Sequence, residues 1–373
     1  MIVTVVAFPL KSEYGGPPVV VMGVTEELSK MCNVRIVNVG KVDKELFTNH
    51  EQVDLYCQST FTSNLYGLFL RWNSSIKSVL KTTDVLLIHG YYFWSTFRIL
   101  TMRNLKASII LMPHGVFEPY QQRQSKIRKF LFDNLLRIFQ KNCIAEFIVA
   151  SESEVDGVKM KFKNSRVRVV GIGISSSFLP SIPINRVKLV SSPVKMLHLG
   201  RVVEKKRIDL MIGAVSELKK RNIEARLIVA GTGTKSKFSE LEVLAQTLGV
   251  ADRISFIGHV AGIGKSNLLD ECDVLLLPSE NENFAVSIAE ATAFGLPVVV
   301  SKHVAMSHFV NLHLTGSVLS QLSYQAVADG VEIVLENYGE FSKNSLESRH
   351  LLTYHVIINA WIDVLREHFV DSQ

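Results

Sequence analysis

The sequence predicts an α/β protein with two parallel-sheet domains, and three features of the chain support this prediction. At 373 residues the chain is too long for one ordinary hydrophobic core. Short apolar runs alternate with amphipathic segments of helical length, as in sheets whose parallel strands are covered by helices. A segment rich in Ser and Pro, residues 175–193, interrupts the alternation before it begins again. We therefore expect domains at 1–180 and 194–345, a linker at 181–193 and a terminal helical segment at 346–373.

The first domain opens with a strand-helix-strand unit. The β-branched run 2–8 predicts a buried strand, a helix is expected from about 19 to 31, and 34–39 predicts a second strand. Gly15 and Gly16 lie in the first connecting loop, where glycine lets the backbone approach a ligand closely. A plain tight turn explains the same pair. No Gly-x-Gly-x-x-Gly follows the strand, so the dinucleotide fingerprint is not present.

Histidines follow two further strands of this domain. Apolar runs at 84–89 and 107–112 predict strands that end at His89 and shortly before His114. Ligands of open α/β sheets bind at the carboxyl ends of strands, so both side chains are candidates for substrate contact. A satisfied loop histidine is the alternative for each, and we assign only His114 to the predicted site.

A basic amphipathic helix is expected at 123–140, after these strands. Its apolar residues fit one face of a helix, and the remaining surface carries several Lys and Arg residues. The charged face is either simply solvated or lies on anionic lipid, as basic amphipathic helices do at membrane surfaces.

The second domain repeats the alternation of strands and helices. Gly200 and Arg201 follow its first strand, and Gly231 and Gly233 follow its second. The glycines after the second strand either let the chain pass close to a ligand or form a simple turn. Strands are expected at 195–199, 225–230, 254–257, 273–278 and 298–300, and helices at 207–221, 235–248, 284–294 and 325–337.

The segment 278–301 predicts a strand end, a polar loop, a helix and another strand. A helix that begins beyond a parallel strand directs its first N–H groups to the place where a phosphate would bind. Glu282 lies in this loop, and Glu290 lies about 12 Å further along a helix that rises ~1.5 Å per residue. Carboxylates in these positions would bind hydroxyl groups at opposite ends of a ligand whose phosphates lie between them. The alternative is a solvated Glu282 and a Glu290 in a surface ion pair.

Two segments of the second domain resemble those of a known protein family. Glu282, Glu290 and the following Ala-x-Ala-x-Gly-Leu-Pro-Val-Val resemble the donor-site signature of family-4 retaining glycosyltransferases, which have the GT-B fold. The segment 199–210 resembles that family's Gly-Arg-x-x-x-x-Lys donor-phosphate loop, with Arg201 and Lys206 at the matching positions. The chain departs from the family's usual pattern at Ile172, at Arg207, where a Gly is usual, and at 301–309.

The resemblance implies both a fold and an activity. The fold is GT-B, in which two Rossmann-like parallel-sheet domains face each other across a cleft and the last helix crosses back to the first, acceptor-side domain. The activity is retaining transfer of a hexose-type unit from a nucleotide sugar, such as a UDP- or GDP-sugar, to a glycan or lipid-linked acceptor in surface polysaccharide biosynthesis. No metal and no cofactor is implied, because fixed cations would stabilise the leaving diphosphate.

The resemblance also assigns roles to individual residues. Glu290 would bind the ribose, Glu282 would bind the sugar hydroxyls, and His114 would face the reacting carbon. The implied catalytic residues are His114, Arg201, Lys206 and Glu282. The implied donor-binding residues are Gly15, Gly16, Gly200, Arg201, Lys206, Gly231, Gly233, Glu282, Asn283, Phe284, Ala285 and Glu290.

The composition narrows the class of partner and the compartment. The formal net charge of +6 and the pI of about 9.0 favour anionic partners such as nucleotides or lipid head groups, and no nucleic acid is expected. The 4 cysteines are scattered, which indicates reduced thiols without a disulfide framework or a zinc site. The N-terminus does not resemble a signal peptide, and no apolar run reaches bilayer length. We expect a cytoplasmic protein, or one peripheral on the inner face of the membrane.

Two rival functions share this architecture. The first is a nucleotide-sugar epimerase or a phosphorylase, which sugar transfer to an acceptor would distinguish. The second is a non-catalytic binding subunit that has kept the fold, and the departures at Ile172 and 301–309 are the features that favour it.

Overall fold

Parallel strands and helices form both halves of the chain in its computed structural model. The structure describes residues 1–11, 16–43, 53–58, 72–180 and 193–370. The chain divides into two compact units, Met1–Gly173 with Tyr354–Gln373 and Ile174–Thr353. Gly15 and the predicted linker, apart from Pro193, lie outside the described residues.

The first unit is built on one parallel sheet. Its described strands are β1 (Ile2–Ala7), β2 (Asn33–Val39), β3 (Asp54–Gln58), β4 (Val85–His89), β5 (Ser108–Met112), β6 (Glu146–Val149) and β7 (Arg166–Val169). They form a 7-stranded sheet in the order β3-β2-β1-β4-β5-β6-β7. The strands β1 and β4 are mostly aliphatic and almost fully buried, a composition that suits strands covered on both faces. The accompanying helices are α1 (Gly16–Ser29), α2 (Ser74–Lys81), α3 (Trp94–Leu100), α4 (Pro119–Gln122), α5 (Lys126–Phe139) and α6 (Glu152–Lys161).

The helix α1 begins earlier than the sequence predicts. It starts at Gly16 and includes Pro17 and Pro18, whereas we expected a start at about residue 19. The first N–H groups of a helix have no intrahelical acceptor, so prolines in the first turn remove no hydrogen bond. The two prolines therefore lie inside the helix rather than in the loop before it.

The second unit contains a second parallel sheet. Its described strands are β8 (Val194–Leu199), β9 (Ala225–Ala230), β10 (Ile254–Gly258), β11 (Val274–Leu277), β12 (Val298–Ser301) and β13 (Gly316–Leu319). They form a 6-stranded sheet in the order β10-β9-β8-β11-β12-β13. Its described helices are α7 (Ile208–Lys220), α8 (Lys235–Thr247), α9 (Gly262–Glu271), α10 (Val286–Ala293), α11 (Ser307–His313), α12 (Tyr324–Glu336) and α13 (Tyr338–Ser348).

The order of strands in the second sheet determines where its ligand would bind. The strand β8 pairs with β9 on one side and with β11 on the other, so the direction of winding reverses between β8 and β11. Open α/β sheets bind ligands at such a reversal, beyond the carboxyl ends of the strands. The loop after β8 contains 200–207 and the loop after β11 contains 278–285, so both predicted site segments start at this point.

The last part of the chain differs from the predicted helix at 346–373. The helix α13 continues to Ser348, a short 3₁₀ turn follows at Arg349–Leu352, and the last helix, α14 (Tyr354–Val370), begins only after an extended Thr353. Leu352 packs in the core of the second unit, whereas Tyr354 donates its hydroxyl hydrogen to the carbonyl of Val20 in α1, at 3.4 Å. The apolar periodicity is continuous because it serves two cores, and the chain passes from one to the other at Thr353. Within the described ranges, no helix combines the length and hydropathy needed to cross a bilayer.

Glycine at position 316 allows β13 to pair closely with β12. The residue lies opposite Val298, and a Cβ atom there would lie 2.0 Å from the carbonyl oxygen of Val298 and 2.8 Å from its carbonyl carbon. Backbone atoms within a parallel ladder have little freedom to move away. A side chain at this position would therefore separate the two strands.

We expect Gly316→Ala to lower the free energy of unfolding by ~1–3 kcal/mol, the usual range for overpacking. Gly339→Ala is the matched control, because a Cβ atom at Gly339 would meet nothing within 4 Å. Urea unfolding of both variants checks this expectation. Equal stabilities for the two variants would show that β12 and β13 are not paired as described.

Candidate functional site

The loops that follow β8 and β11 are bonded to each other. The backbone N–H of Glu280 donates to the carbonyl of Lys205 at 2.8 Å. In return, the Lys205 ammonium donates to the carbonyl of Asn281 at 3.1 Å. These two hydrogen bonds hold together segments that are more than seventy residues apart in sequence, directly beyond the reversal of the sheet.

Lys206 and Glu282, both predicted site residues, form an ion pair at the centre of these loops. The Nζ atom of Lys206 lies 2.7 Å from Oε1 of Glu282, and Nζ of Lys205 lies 3.1 Å from the same oxygen. Burial raises the pKa of Glu282, but the charges of Lys206 and Lys205 outweigh it and hold that pKa below its usual value. Burial also lowers the pKa of Lys206, although Glu282 opposes the shift. The cluster therefore contains two cations and one anion.

Arg201 lies beside this cluster with an exposed side chain. Its charge contributes to the lowered pKa of Lys206, after the larger effect of burial. It forms no salt bridge with any residue that the structure describes. Arg201 thus adds a positive charge that is available to a ligand at the carboxyl end of β8.

Arg207 has a left-handed backbone, with φ of 52°. This conformation favours glycine, which gives a physical reason why family-4 glycosyltransferases usually have Gly at this position. The strained residue is held by its guanidinium, which contacts Asp209 at 2.8 Å and Glu280 at 3.1 Å. The departure from the family's pattern is therefore accommodated by a local ion-pair network that also joins the two loops.

The glycines after β9 have a structural role. A Cβ atom at Gly231 would lie 1.7 Å from the carbonyl oxygen of Gly200, and one at Gly233 would lie 2.8 Å from both Cβ and O of Val202. The loops after β8 and β9 pack this closely because the N–H of Val202 donates to the backbone carbonyl of Thr232 at 2.7 Å. The close approach is to another loop of the chain, and a nucleotide contact for these glycines stays a prediction.

The sequence predicted that the helix after β11 begins at Phe284. In the structure it begins two residues later, at Val286. Ala285 is left-handed, with φ of 65°, and no side chain caps the helix. Before this helix, backbone hydrogen bonds join Glu282 to the loop after β12. The N–H of Glu282 donates to the backbone carbonyl of His303 at 3.3 Å, and its carbonyl accepts from the N–H of Ala305 at 3.0 Å. Asn283, Phe284 and Ala285 consequently form a turn that leads from the buried carboxylate into α10.

Glu290 is buried in α10, and its partner is a lysine that the sequence analysis missed. Oε1 of Glu290 lies 2.6 Å from Nζ of Lys265 in α9, and the same ammonium lies 4.8 Å from the ring centroid of Phe178. The surface ion pair considered above is excluded, because Glu290 is only 5% exposed. Within the described part of the chain, no group of three or more His, Cys, Asp or Glu side chains is placed to hold a metal ion.

The first unit contains the remaining described candidates, Gly16 and His114. Gly16 is the first residue of α1, and His114 follows β5 with φ of 57°. Nε2 of His114 lies 2.9 Å from Nδ1 of His89, and the two rings stack with centroids 5.1 Å apart. Burial lowers the pKa of His114 to about 4 and lowers that of His89 well below its usual value. Both imidazoles are therefore neutral at pH 7, so one donates the shared hydrogen and the other accepts it.

The comparisons with known proteins agree across both halves of the chain. Residues 14–178 match the family model "Glycosyltransferase Family 4", and residues 183–350 match "Glycosyl transferases group 1". In a solved structure of Anabaena Alr3699/HepE in complex with UDP and glucose, the fold is similar, with a TM-score of 0.78 at 16% identity over 98% of this chain and 100% of that one. Two parallel-sheet Rossmann-like domains, as in GT-B glycosyltransferases, confirm the predicted fold class.

Curated relatives match the chain to different extents. An uncharacterized glycosyltransferase of Haemophilus influenzae is 22% identical over 90% of this chain and 91% of its own length. An uncharacterized glycosyltransferase of Methanocaldococcus jannaschii is 32% identical, but the match covers 39% of this chain and 36% of that protein. WcaL of Salmonella typhimurium, named for glycosyl transfer in colanic acid biosynthesis, is 28% identical over 43% of this chain and 40% of its own length. The matches thus span only 36% and 40% of the length of two of these relatives.

Because His89 and His114 form a buried neutral pair, we expect the free energy of unfolding to fall as the pH drops from about 6.5 towards about 4. In that range the unfolded chain binds protons on its imidazoles while His89 and His114 stay neutral in the folded protein. The expected loss between pH 7 and pH 5 is roughly 1–2 kcal/mol per imidazole. Urea unfolding at both pH values should therefore show a smaller pH effect in the double variant His89→Asn, His114→Asn.

His355→Asn, in an exposed position of α14, is the matched control for these substitutions. It should leave the difference between pH 7 and pH 5 as it is in the unaltered protein. If the double variant and the control show the same pH dependence, the two imidazoles are not buried as a neutral pair.

Proposed function

Because the chain belongs to the family-4, group 1 glycosyltransferases with the GT-B fold, we propose that it transfers a hexose-type sugar from a nucleotide-sugar donor to an acceptor hydroxyl with retention of configuration. The donor would bind beyond the carboxyl ends of β8 and β11, where the second sheet reverses its winding. The Anabaena structure, which holds UDP and glucose, supports a UDP-sugar as the first donor to test, and a GDP-sugar is the second.

The surplus of positive charge at Glu282 is the observation that carries this proposal. Lys205 and Lys206 both contact one carboxylate, which leaves one net positive charge in a largely buried position. The exposed Arg201 adds a second. A leaving nucleoside diphosphate gains negative charge as its bond to the sugar breaks, and fixed cations in a water-poor site stabilise such charge most effectively. A solvated lysine or an isolated ion pair would offer neither feature.

The proposed reaction exchanges one bond at the anomeric carbon for another. The bond between this carbon and the diphosphate oxygen breaks, and its electron pair remains with the diphosphate. A new bond forms to the acceptor oxygen, and the acceptor's proton passes to the departing diphosphate or to water. Arg201 and Lys206 would stabilise the diphosphate throughout. Glu282 would orient the sugar through Oε2, because both lysines contact Oε1.

Glu290 would bind the ribose hydroxyls at the other end of the donor. Its Oε1 already accepts from Lys265, so ribose binding would use Oε2 or displace the lysine. The turn at 283–285 would approach the sugar and phosphate with its main chain. Contacts of Gly200, Gly231 and Gly233 with the nucleotide, and of Gly16 and His114 with the donor, belong to the same proposal.

The acceptor that we propose is a growing surface glycan or a lipid-linked intermediate. The similarity to WcaL, which is named for colanic acid biosynthesis, supports a place in polysaccharide assembly. An acceptor of this kind is consistent with a cytoplasmic enzyme that works on the inner face of a membrane. Neither a metal ion nor a further cofactor enters the proposed reaction.

Replacing Arg201 tests the charge at the phosphate site without disturbing the buried ion pair. We expect Arg201→Ala to lower kcat/KM for sugar transfer ~100-fold or more, as loss of one donor to a developing anion does. The melting temperature should change little, since Arg201 is exposed. The donor for the assay is the UDP- or GDP-sugar that raises the melting temperature of the unaltered protein.

The matched control is Arg226→Ala, which removes an exposed arginine of β9 in the same unit. It should retain the turnover of the unaltered protein. Equal turnover in the two variants would show that Arg201 does not belong to the site. If the product is isomerised or phosphorolysed sugar and not a transfer product, the protein is an epimerase or a phosphorylase instead.

Two measurements on the unaltered protein test whether the reaction proceeds without a metal ion and with retention of the anomeric configuration. Turnover should persist in excess EDTA, because the cations that stabilise the diphosphate are side chains. The first-formed product, observed by proton NMR, should have the same anomeric configuration as the donor. Complete loss of turnover that Mg²⁺ or Mn²⁺ restores would contradict the first expectation, and an inverted product would contradict the second.

A further inference from the structure

The helix α5 leaves an unusual amount of apolar surface exposed. Ile127 is 77% exposed, Ile138 68% and Phe130 67%, and Leu131 is 55% exposed. Scattered exposed apolar residues are ordinary on protein surfaces, but several large ones on a single helix of 14 residues are not. Such a cluster of exposed apolar side chains indicates a surface that contacts a partner.

The exposed residues form one continuous face. At ~100° per residue, the side chains of Ile127, Phe130, Leu131 and Ile138 lie within roughly 60° of a common direction. Phe132 and Leu136 lie on the opposite side and are buried in the core of the first unit, where Phe132 packs on the ring of Tyr91 at 5.4 Å between centroids. The inner face thus fixes the orientation of the helix, and the outer apolar face is a property of the folded unit.

Cations border this outer face on both sides. On the same ~100° geometry, Arg128 lies on one border, and Lys126 and Arg137 lie on the other. All three side chains are exposed. The acidic residue of α5, Asp133, lies about 20° beyond Lys126 on the same geometry; its side chain is 31% exposed and pairs with Lys161 of α6. The outer surface of α5 consequently combines an apolar centre with positive borders, and the one carboxylate beside it is paired with Lys161.

This combination matches the chemistry of an anionic bilayer surface. Apolar side chains enter the boundary between head groups and acyl chains, and Lys and Arg at the same level bind anionic head groups. A second copy of the chain matches less well, because pairing two such faces would bring their Lys and Arg borders together. Nucleic acid also matches less well, because the centre of the surface is apolar rather than basic.

We propose that α5 is a membrane-docking surface, which lies in the plane of an anionic bilayer and inserts Ile127, Phe130, Leu131 and Ile138 into its interface. The binding requires no donor and no turnover, so it is measured separately from the proposed sugar transfer. It would place the first unit where a lipid-linked acceptor is concentrated, and in that respect alone it extends the proposed function.

Co-sedimentation of the full chain with vesicles tests this proposal. The vesicles consist either of phosphatidylglycerol and phosphatidylcholine in equal amounts or of phosphatidylcholine alone. We expect binding to the anionic vesicles that weakens as salt is added. Phe130→Glu should weaken it by about tenfold or more, because it removes an inserted ring and adds a repelled charge. Arg128→Gln and Arg137→Gln should each weaken it about fivefold.

Matched substitutions elsewhere on the surface provide the controls. Val243→Glu alters a residue of α8 that is 59% exposed, and Lys343→Gln removes an exposed cation of α13. Both should bind vesicles as the unaltered protein does, and all variants should keep its melting temperature. Equal loss in Phe130→Glu and Val243→Glu, or equal binding to neutral and anionic vesicles, would overturn the proposal. A change from dimer to monomer in Phe130→Glu, with vesicle binding unchanged, would assign the face to a second copy instead.

Discussion

The sharing of one buried carboxylate by two lysines is the interaction on which the second unit's candidate site depends. Glu282 lies beyond β11, and Lys205 with Lys206 lies beyond β8, so the ion cluster joins the two loops at the reversal of the sheet. A buried carboxylate without these partners would be costly to desolvate, and two buried ammonium groups without it would repel each other. The same contacts therefore organise the loops and leave a net positive charge. The loop structure and the proposed binding of diphosphate thus both depend on the two lysines and the one carboxylate of this cluster.

Among the described residues, three of the seven non-glycine residues with positive φ lie in loops at the candidate sites. Arg207, Ala285 and His114 all have positive φ, and each belongs to a loop that follows a parallel strand. Non-glycine residues adopt this conformation only where the surroundings compensate for it. For Arg207 the compensation is a pair of carboxylates, and for His114 it includes the bonding of the next N–H, that of Gly115, to Glu154. These loops are thus held in defined shapes before any ligand binds, which reduces the ordering required when a donor arrives.

Local pattern was enough to predict most strands and helices, but it did not predict β3, β13, α3 or α11. Contacts between distant segments were not visible in it. The strand expected at 225–230 is β9, and the helix expected at 207–221 is α7 with one residue removed at each end. Lys205 and Lys265 were missed because nothing nearby in the sequence marks them as partners of Glu282 and Glu290. The late start of α10 and of α14 was missed for a related reason: a left-handed Ala285 and an extended Thr353 interrupt periodicities that otherwise continue. The resemblance grouped Arg201, Lys206 and Glu282 in one site, and the fold adds the direct contact of Lys206 with Glu282 at 2.7 Å.

The position of the diphosphate is the central claim, and a crystal structure of the protein with uridine diphosphate tests it most directly. We expect phosphate oxygens within hydrogen-bonding distance of the Arg201 guanidinium and the Lys206 ammonium, with the ribose directed towards Glu290. A diphosphate bound elsewhere in the protein, with Arg201 and Lys206 in contact only with solvent and Glu282, would contradict it.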